Sequence, residues 1–405
     1  MLNRSLTISS RFTQLFNSNT IIKQRCSFPI PNGRCLSSSM MMGFSSRKTL
    51  YIGAAIVGSL LGYQEYKRKQ IPLDPEEILV SITGAGRIVP KSEVPPIPVS
   101  RTAVGPAKLS DMEFNIYQYQ SCPFCSKVRA YMDYYGLTYN VIEVDPVLRQ
   151  QTRFSKYRKV PILLVDQKRP ENNPNYVQIN DSSLIISILS SYLWFKKDSE
   201  SLDDLLKYYQ NAKNIQDQSN ALINKYFLMI GEAWSPKKLK KEENNLAEER
   251  YWREWTDNYL VHVLSPNIYR TMGESLETFH HFSKVGQWEE NFPAWERYLC
   301  IYAGATAMYF VARRLKKKHA LKDEVRESLY DSCRLWMKNV GKNRTFMGGN
   351  EPNLADLAVY GVLSSIEGCT AFKDLLNNVN IGPWYYAVKN LCQTHAGSKR
   401  IMKNA

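Results

Sequence analysis

Acidic residues are missing from the start of this chain. No Asp or Glu precedes Glu65, while Arg4, Arg11, Lys23, Arg25, Arg34, Arg47 and Lys48 supply positive charge among many serines. That composition excludes an ordinary folded start and predicts an organelle transit leader over 1–48. Histidine is scarce too. His262, His280, His281, His319 and His395 show no metal-ligand spacing. No Cys-X-X-Cys-His run exists, which excludes a covalently attached c-type haem. Eight cysteines in 405 residues do not make a disulfide scaffold, so a reducing compartment is the default for the folded part. The apolar stretch at 50–63 is short of the ~20 residues that span a bilayer. Arg47 and Lys48 flank it on one side and Lys67, Arg68 and Lys69 on the other, so the charge rule gives no orientation. A signal-peptide core has the same length. The basic pair lies so deep in the chain that a membrane anchor over 49–64 is the expectation.

The net charge of +15 suggests nucleic acid, but residues 1–110 hold 14 Lys+Arg against 5 Asp+Glu, +9 of that total. The rest shows no arginine stripe with interleaved aromatics, which argues against a nucleic-acid partner. Pro, Val and Ser are frequent over 71–110, and 65–110 is expected to be a linker.

Cys122-Pro-Phe-Cys125 is the most informative motif that is present. It follows an extended apolar run at 114–119 and precedes a helical pattern in which Val128, Tyr131 and Met132 recur. A thiol at a strand-to-helix turn lies at the positive end of the helix dipole, among unpaired N–H groups. Cys-X-X-Cys thiols in such settings have pKa values lowered to roughly 3.5–7.5. Cys122 is therefore the expected activated sulfur, with Cys125 one turn behind it. A zinc site would need a second ligand pair, and Cys300, Cys333, Cys369 and Cys392 are too scattered to supply it.

The pattern then alternates. Strands are expected at 114–119, 139–144, 161–165 and 176–179, helices at 123–135, near 147–157 and at 182–195, and a polar insert over 166–175. A Cys-X-X-Cys after the first strand of such an order is thioredoxin-like. Val160-Pro161 opens the third strand, and an X-Pro bond takes the cis form for about 0.5–1 kcal/mol. A cis bond would turn the Val160 backbone towards the thiol. Asn180-Asp181-Ser182-Ser183 opens the last helix with strong N-cap residues. Read functionally, the helix start would hold a ligand carboxylate and Asp181 an ammonium, the two groups at the γ-glutamyl end of glutathione.

Amphipathic patterns cover 202–229, 244–264, 290–317, 321–340, 354–367 and 382–394, with no convincing strand. Asn353 and Asp356 have the spacing of a capping box. A thioredoxin-like α/β domain over 111–197, followed by an all-α domain over 198–400, is the glutathione transferase arrangement.

The segments 117–130, 157–163, 180–183, 260–271, 346–349 and 352–363 carry a closer resemblance, to the membrane-associated prostaglandin E synthase type 2 family within the glutathione transferase superfamily. The resemblance implies isomerisation of prostaglandin H2 to prostaglandin E2. It also implies glutathione binding, and haem held through the glutathione sulfur, with endoperoxide breakdown when haem is bound. Carried onto this chain, Cys122 is the catalytic thiol, Tyr119 is placed to hydrogen-bond it, and Val160, Pro161, Asp181 and Ser182 form the glutathione seat. A homodimer and a single N-terminal membrane anchor are further expectations. The resemblance points to the Golgi and the leader's composition to the mitochondrion, with release to the cytoplasm if the leader is removed. Two rivals use the same site: a glutathione-dependent thiol–disulfide oxidoreductase with Cys125 as resolving thiol, and a membrane-tethered haem–glutathione binding protein without turnover.

Overall fold

The computed structural model describes residues 86–402, apart from 108, 110, 169–172, 196–200, 212–223 and 231–232. The expected leader and anchor lie outside these. In chain order the first half contains β1 (Gly86–Pro90), β2 (Arg101–Ala103), β3 (Met112–Gln118), α1 (Pro123–Tyr134), β4 (Tyr139–Glu143), β5 (Ile162–Gln167), β6 (Asn175–Asn180) and α2 (Ser182–Phe195). The strands form one sheet in the order β1-β6-β5-β3-β4-β2. Only β3 and β4 pair in parallel, joined by the α1 crossover; the other neighbours are antiparallel.

Strand periodicity explains the two faces of this sheet. Phe114, Ile116, Val141, Leu163 and Val165 point to the large core beneath the helices. Their neighbours Tyr117, Ile142, Ile162 and Leu164 point to a smaller cluster closed by Val94, Ile97, Phe154 and Tyr157.

Three expectations need correction. Part of the expected linker at 65–110 is strand: β1 pairs with β6, and β2 pairs with β4, as the two sheet edges. Their prolines hid them, because proline is tolerated at a sheet edge where the N–H is not needed. The helix expected near 147–157 is a single tight turn at Gln150–Thr152. Asp145 Oδ1 accepts from Val147 N–H at 2.7 Å and from Leu148 N–H at 3.0 Å. Arg149 then adopts a left-handed φ of 51°, which interrupts any helix. The third correction concerns 202–229: among its described residues, 202–211 form α3 (Leu202–Asn211), but 224–226 are a turn and 227–229 are not helical.

The helical half continues with α4 (Pro236–Trp255), a π turn (Thr256–Leu260), α5 (Val261–Ile268), α6 (Met272–Val285), α7 (Trp288–Asn291), α8 (Ala294–Leu299), a second π turn (Cys300–Gly304) and α9 (Ala305–Lys318). It ends with α10 (Val325–Val340), α11 (Leu354–Ser364), α12 (Thr370–Asn378), α13 (Gly382–Gln393) and α14 (Ser398–Met402). The sequence patterns missed α6 and α12. For α6 the signal was its cap: Thr271 accepts from Glu274 N–H at 3.1 Å. The capping box at Asn353 and Asp356 is formed. Asp356 also accepts from Met347 N–H, Gly348 N–H and Trp384 Nε1, each at 3.0 Å, and so ties three segments together.

α11 lies directly on α1. A methyl group added at Gly361 would sit 2.6 Å from the Lys127 Cα and 2.9 Å from the Ser126 carbonyl oxygen. Gly361→Ala should therefore push the thiol-bearing helix outwards and cost about 1–3 kcal/mol. Urea unfolding measures this; an unchanged midpoint would mean the two helices can slide apart freely.

Candidate active site

α1 starts where β3 ends. Its N-cap is Cys122 in an extended conformation, with Pro123 at the first helical position, where a missing N–H costs nothing. Cys122 N–H donates to the Tyr119 carbonyl at 3.0 Å, and Cys122 C=O accepts from Ser126 N–H at 2.9 Å. The half-buried sulfur is thus held over the open end of the helix. Its pKa lies below the ordinary thiol value. The Cys125 S–H donated to it is the largest cause; burial opposes this, and the N–H groups of Cys125 and Phe124 and the Arg129 guanidinium add to it. Cys125 is fully buried, and burial together with its bond to Cys122 raises its pKa well above the ordinary value. The two thiols are thus unequal: Cys122 carries the lowered pKa, and Cys125 is the neutral thiol that donates to it.

Removing that donor is a direct test. Cys125→Ala should shift the midpoint of Cys122 alkylation by iodoacetamide to higher pH, with the fast reaction still abolished by Cys122→Ser. An unchanged midpoint would assign the whole effect to the helix N–H groups.

Tyr119 stands at the wall of the same cavity. Among the described residues its hydroxyl is not one of the donors to the Cys122 sulfur, which are Cys125 and the two backbone N–H groups. Burial pushes the Tyr119 phenol up to about 12, so it is neutral and able to donate near pH 7. Val160-Pro161 is cis. Val160, like Tyr119 and Tyr157, packs against the small cluster on one face of the sheet.

Asp181 takes a left-handed φ of 64° immediately before α2. Its Oδ1 accepts from Ser183 N–H at 2.9 Å and from Leu184 N–H at 3.3 Å. Its Oδ2 meets Lys225 Nζ at 3.1 Å. Asp181 does hold an ammonium, but one supplied by this chain. A carboxylate oxygen has two lone pairs, so a second ammonium can share Oδ2. Tyr157 lies between the two halves of the site, within electrostatic range of Asp181, Cys125 and Cys122.

Sequence reasoning missed a buried polar cluster behind this seat. Lys127, fully buried on α1, donates to Asp257 in the first π turn and to Ser183 Oγ at 2.9 Å. Ser183 Oγ donates to Asp257 Oδ2 at 2.6 Å, and Tyr226 Oη donates to the same oxygen at 3.2 Å. Burial raises the Asp257 pKa, but Lys127 and Lys225 outweigh it and hold the carboxyl below its usual range. Arg253 on α4 donates to the Ser183 carbonyl at 2.9 Å and to Ser187 Oγ at 2.7 Å. The start of α2 is thereby fastened to the helical half. The only signal in the sequence was a Lys among apolar helix positions, which reads equally well as a solvated residue.

The cavity at Cys122 measures about 210 Å³ and is half open. Tyr119, Ser121, Cys122 and Pro123 form one wall, and Leu264, Ser265, Ile268, Tyr269, Phe282 and Ile366 form most of the other. The Cys122 sulfur therefore faces largely apolar surface contributed by α5 and α6.

Residues 116–191 match the family described as glutathione S-transferase, N-terminal domain. That range contains Tyr119, Cys122, Cys125, Val160, Pro161, Asp181 and Ser182. The chain is also 44% identical over 279 residues to prostaglandin E synthase 2 of Mus musculus, covering 68% of this chain and 69% of that protein. The chain belongs to the prostaglandin E synthase 2 family. A relative of the same name from Danio rerio is 41% identical over 287 residues, covering 70% of this chain and 72% of that one. An aligned length of 279 residues exceeds the thioredoxin-like half, so likeness to the prostaglandin E synthase 2 family extends into the helices that complete the cavity. Among solved structures, glutathione transferase F7 from Populus trichocarpa is similar at a TM-score of 0.35 and 11% identity, over 72% of this chain and 98% of that one.

Proposed function

We propose that this chain isomerises prostaglandin H2 to prostaglandin E2, with Cys122 as the reacting group and glutathione docked along Val160, Asp181 and Ser182. The observation that carries the reading is a lowered-pKa thiol at a helix start on the wall of a largely apolar cavity, in a member of this family. The residues fit glutathione: Ser182 opens α2, and Asp181 presents a partly exposed carboxylate beside it. When bound there, glutathione would supply a second thiol beside the substrate.

The chemistry needs no net oxidant. The Cys122 sulfur attacks one endoperoxide oxygen, so an S–O bond forms as the weak O–O bond breaks, leaving an alkoxide on the other oxygen. Loss of the proton from the carbon bearing the sulfur-bound oxygen forms the ketone and returns the electron pair to sulfur. The alkoxide takes up a proton, and the β-hydroxyketone leaves. The neutral Tyr119 phenol at the cavity wall is positioned to supply a proton to a developing oxyanion. Product analysis from prostaglandin H2, with and without glutathione, tests the reading. Prostaglandin E2 formed equally well by wild type and Cys122→Ser would defeat it.

Haem fits less well. No histidine lines the cavity, so an iron held there would depend on sulfur for its ligand. The direct Cys122–Cys125 contact favours a second reading, thiol–disulfide exchange. Reduction of hydroxyethyl disulfide that depends equally on both cysteines would support it. The proposal further includes tethering through 50–63 and assembly as a homodimer. Tethering draws on the acid-free leader and the apolar run; the homodimer draws on resemblance alone. Among the described residues, no helix is long and apolar enough to cross a membrane.

A further inference from the structure

α8, the second π turn and α9 run on as one rod, because Leu299, Cys300, Gly304 and Ala305 all keep right-handed helical angles. Ile301, Ala305 and Ala312 bury its inner face. The outer face is aromatic where a solvated face would be expected to be polar: Trp295, Tyr298, Tyr302 and Phe310 are 58%, 51%, 53% and 59% exposed. At helical rise they span roughly 22 Å. The rod then ends in a basic stretch. From 313 to 322 there are six Lys+Arg and no Asp or Glu. Favourable charge at a helix C-terminus accounts for some of these cations, but it does not account for four large rings in water.

We propose that the outer face of this rod is a docking surface for a bilayer bearing anionic lipid. Trp and Tyr settle at the headgroup level, with apolar rings inward and polar tips in water. Arg313, Arg314 and Lys317, all exposed, then meet the anionic headgroups. Apart from Arg297, which is largely buried and paired with Glu289 at 3.0 Å, the aromatic and basic parts are segregated along the rod, whereas a single-stranded nucleic acid would be met by rings and cations interleaved. A helix of this kind lies in the interface and does not cross it. The surface is distinct from the apolar run at 50–63 and would hold the folded part flat against a membrane that also delivers lipid substrates.

The test uses the full chain on phosphatidylcholine vesicles containing roughly a third phosphatidylserine and bromine-labelled acyl chains. Bromine quenches a tryptophan that touches it, and the difference between wild type and Trp295→Phe isolates Trp295. Quenching of Trp295 is expected. Reversing Arg313, Arg314 and Lys317 to Glu should abolish that quenching even while the apolar run at 50–63 keeps the chain on the vesicle, with far-UV circular dichroism unchanged. The proposal fails if Trp295 stays unquenched while the protein is bound, or if the charge reversal leaves the quenching intact. It also fails if the stripe instead proves to join two copies, so that Trp295→Ser with Phe310→Ser halves the mass in solution. Loss of binding to single-stranded RNA in the charge-reversal variant, with Trp295 quenching by vesicles kept, would assign the basic face to nucleic acid.

Discussion

Cys122→Ser should lower prostaglandin E2 formation by on the order of 10³-fold or more, while Cys125→Ser should stay within about tenfold of wild type. A serine hydroxyl at this position has the same helix N–H groups around it but cannot ionise near neutral pH, and oxygen is a harder, poorer nucleophile towards an O–O bond. Cys125→Ser replaces one donor by another, so Cys122 keeps its partner. Purified enzyme, prostaglandin H2 and chromatographic separation of the products suffice to measure both. Equal losses in the two variants would show that a disulfide forms during turnover. Equal retention would show that the chemistry lies elsewhere.

Asp257→Ala should cost about 3–5 kcal/mol of stability, because it strands the Lys127 ammonium in a site it cannot leave. The same substitution also removes the acceptor for Ser183 and Tyr226 at the start of α2. The fall in stability is read from urea unfolding. Combining Lys127→Met with Asp257→Leu should recover most of the loss, since the pair is replaced by apolar groups of similar volume. If the double variant is no better than the single one, the hydroxyl partners matter more than the ion pair.

The thiol half was readable because its elements obey strong local rules. The β3 run, the Cys-X-X-Cys turn and the Asp-Ser-Ser cap each carry their own signal, and the structure places α1 and α2 where those signals put them. The edge strands escaped notice because they are short and flanked by proline. The 147–157 segment read as helix because nothing in the pattern showed that the Asp145 side chain would take the N–H groups of the first turn for itself. The buried cluster was out of reach for a different reason. Lys127 and Asp257 are 130 positions apart and meet only once the two halves have packed. The Lys225 partner of Asp181 was hidden in the same way, and it changes the picture of the glutathione seat from an empty acceptor to one already half engaged.

The position of β1 and β2 sets a limit on N-terminal trimming. A protease that cut just before Gly86 would leave the sheet whole. One that cut between 90 and 112 would strip the outermost ribbon from β6, and a cut at the end of that window would also bare β4. Exposed strand edges recruit other chains. Shortened forms that keep every residue of the thiol site would therefore clump together before they lost their chemistry.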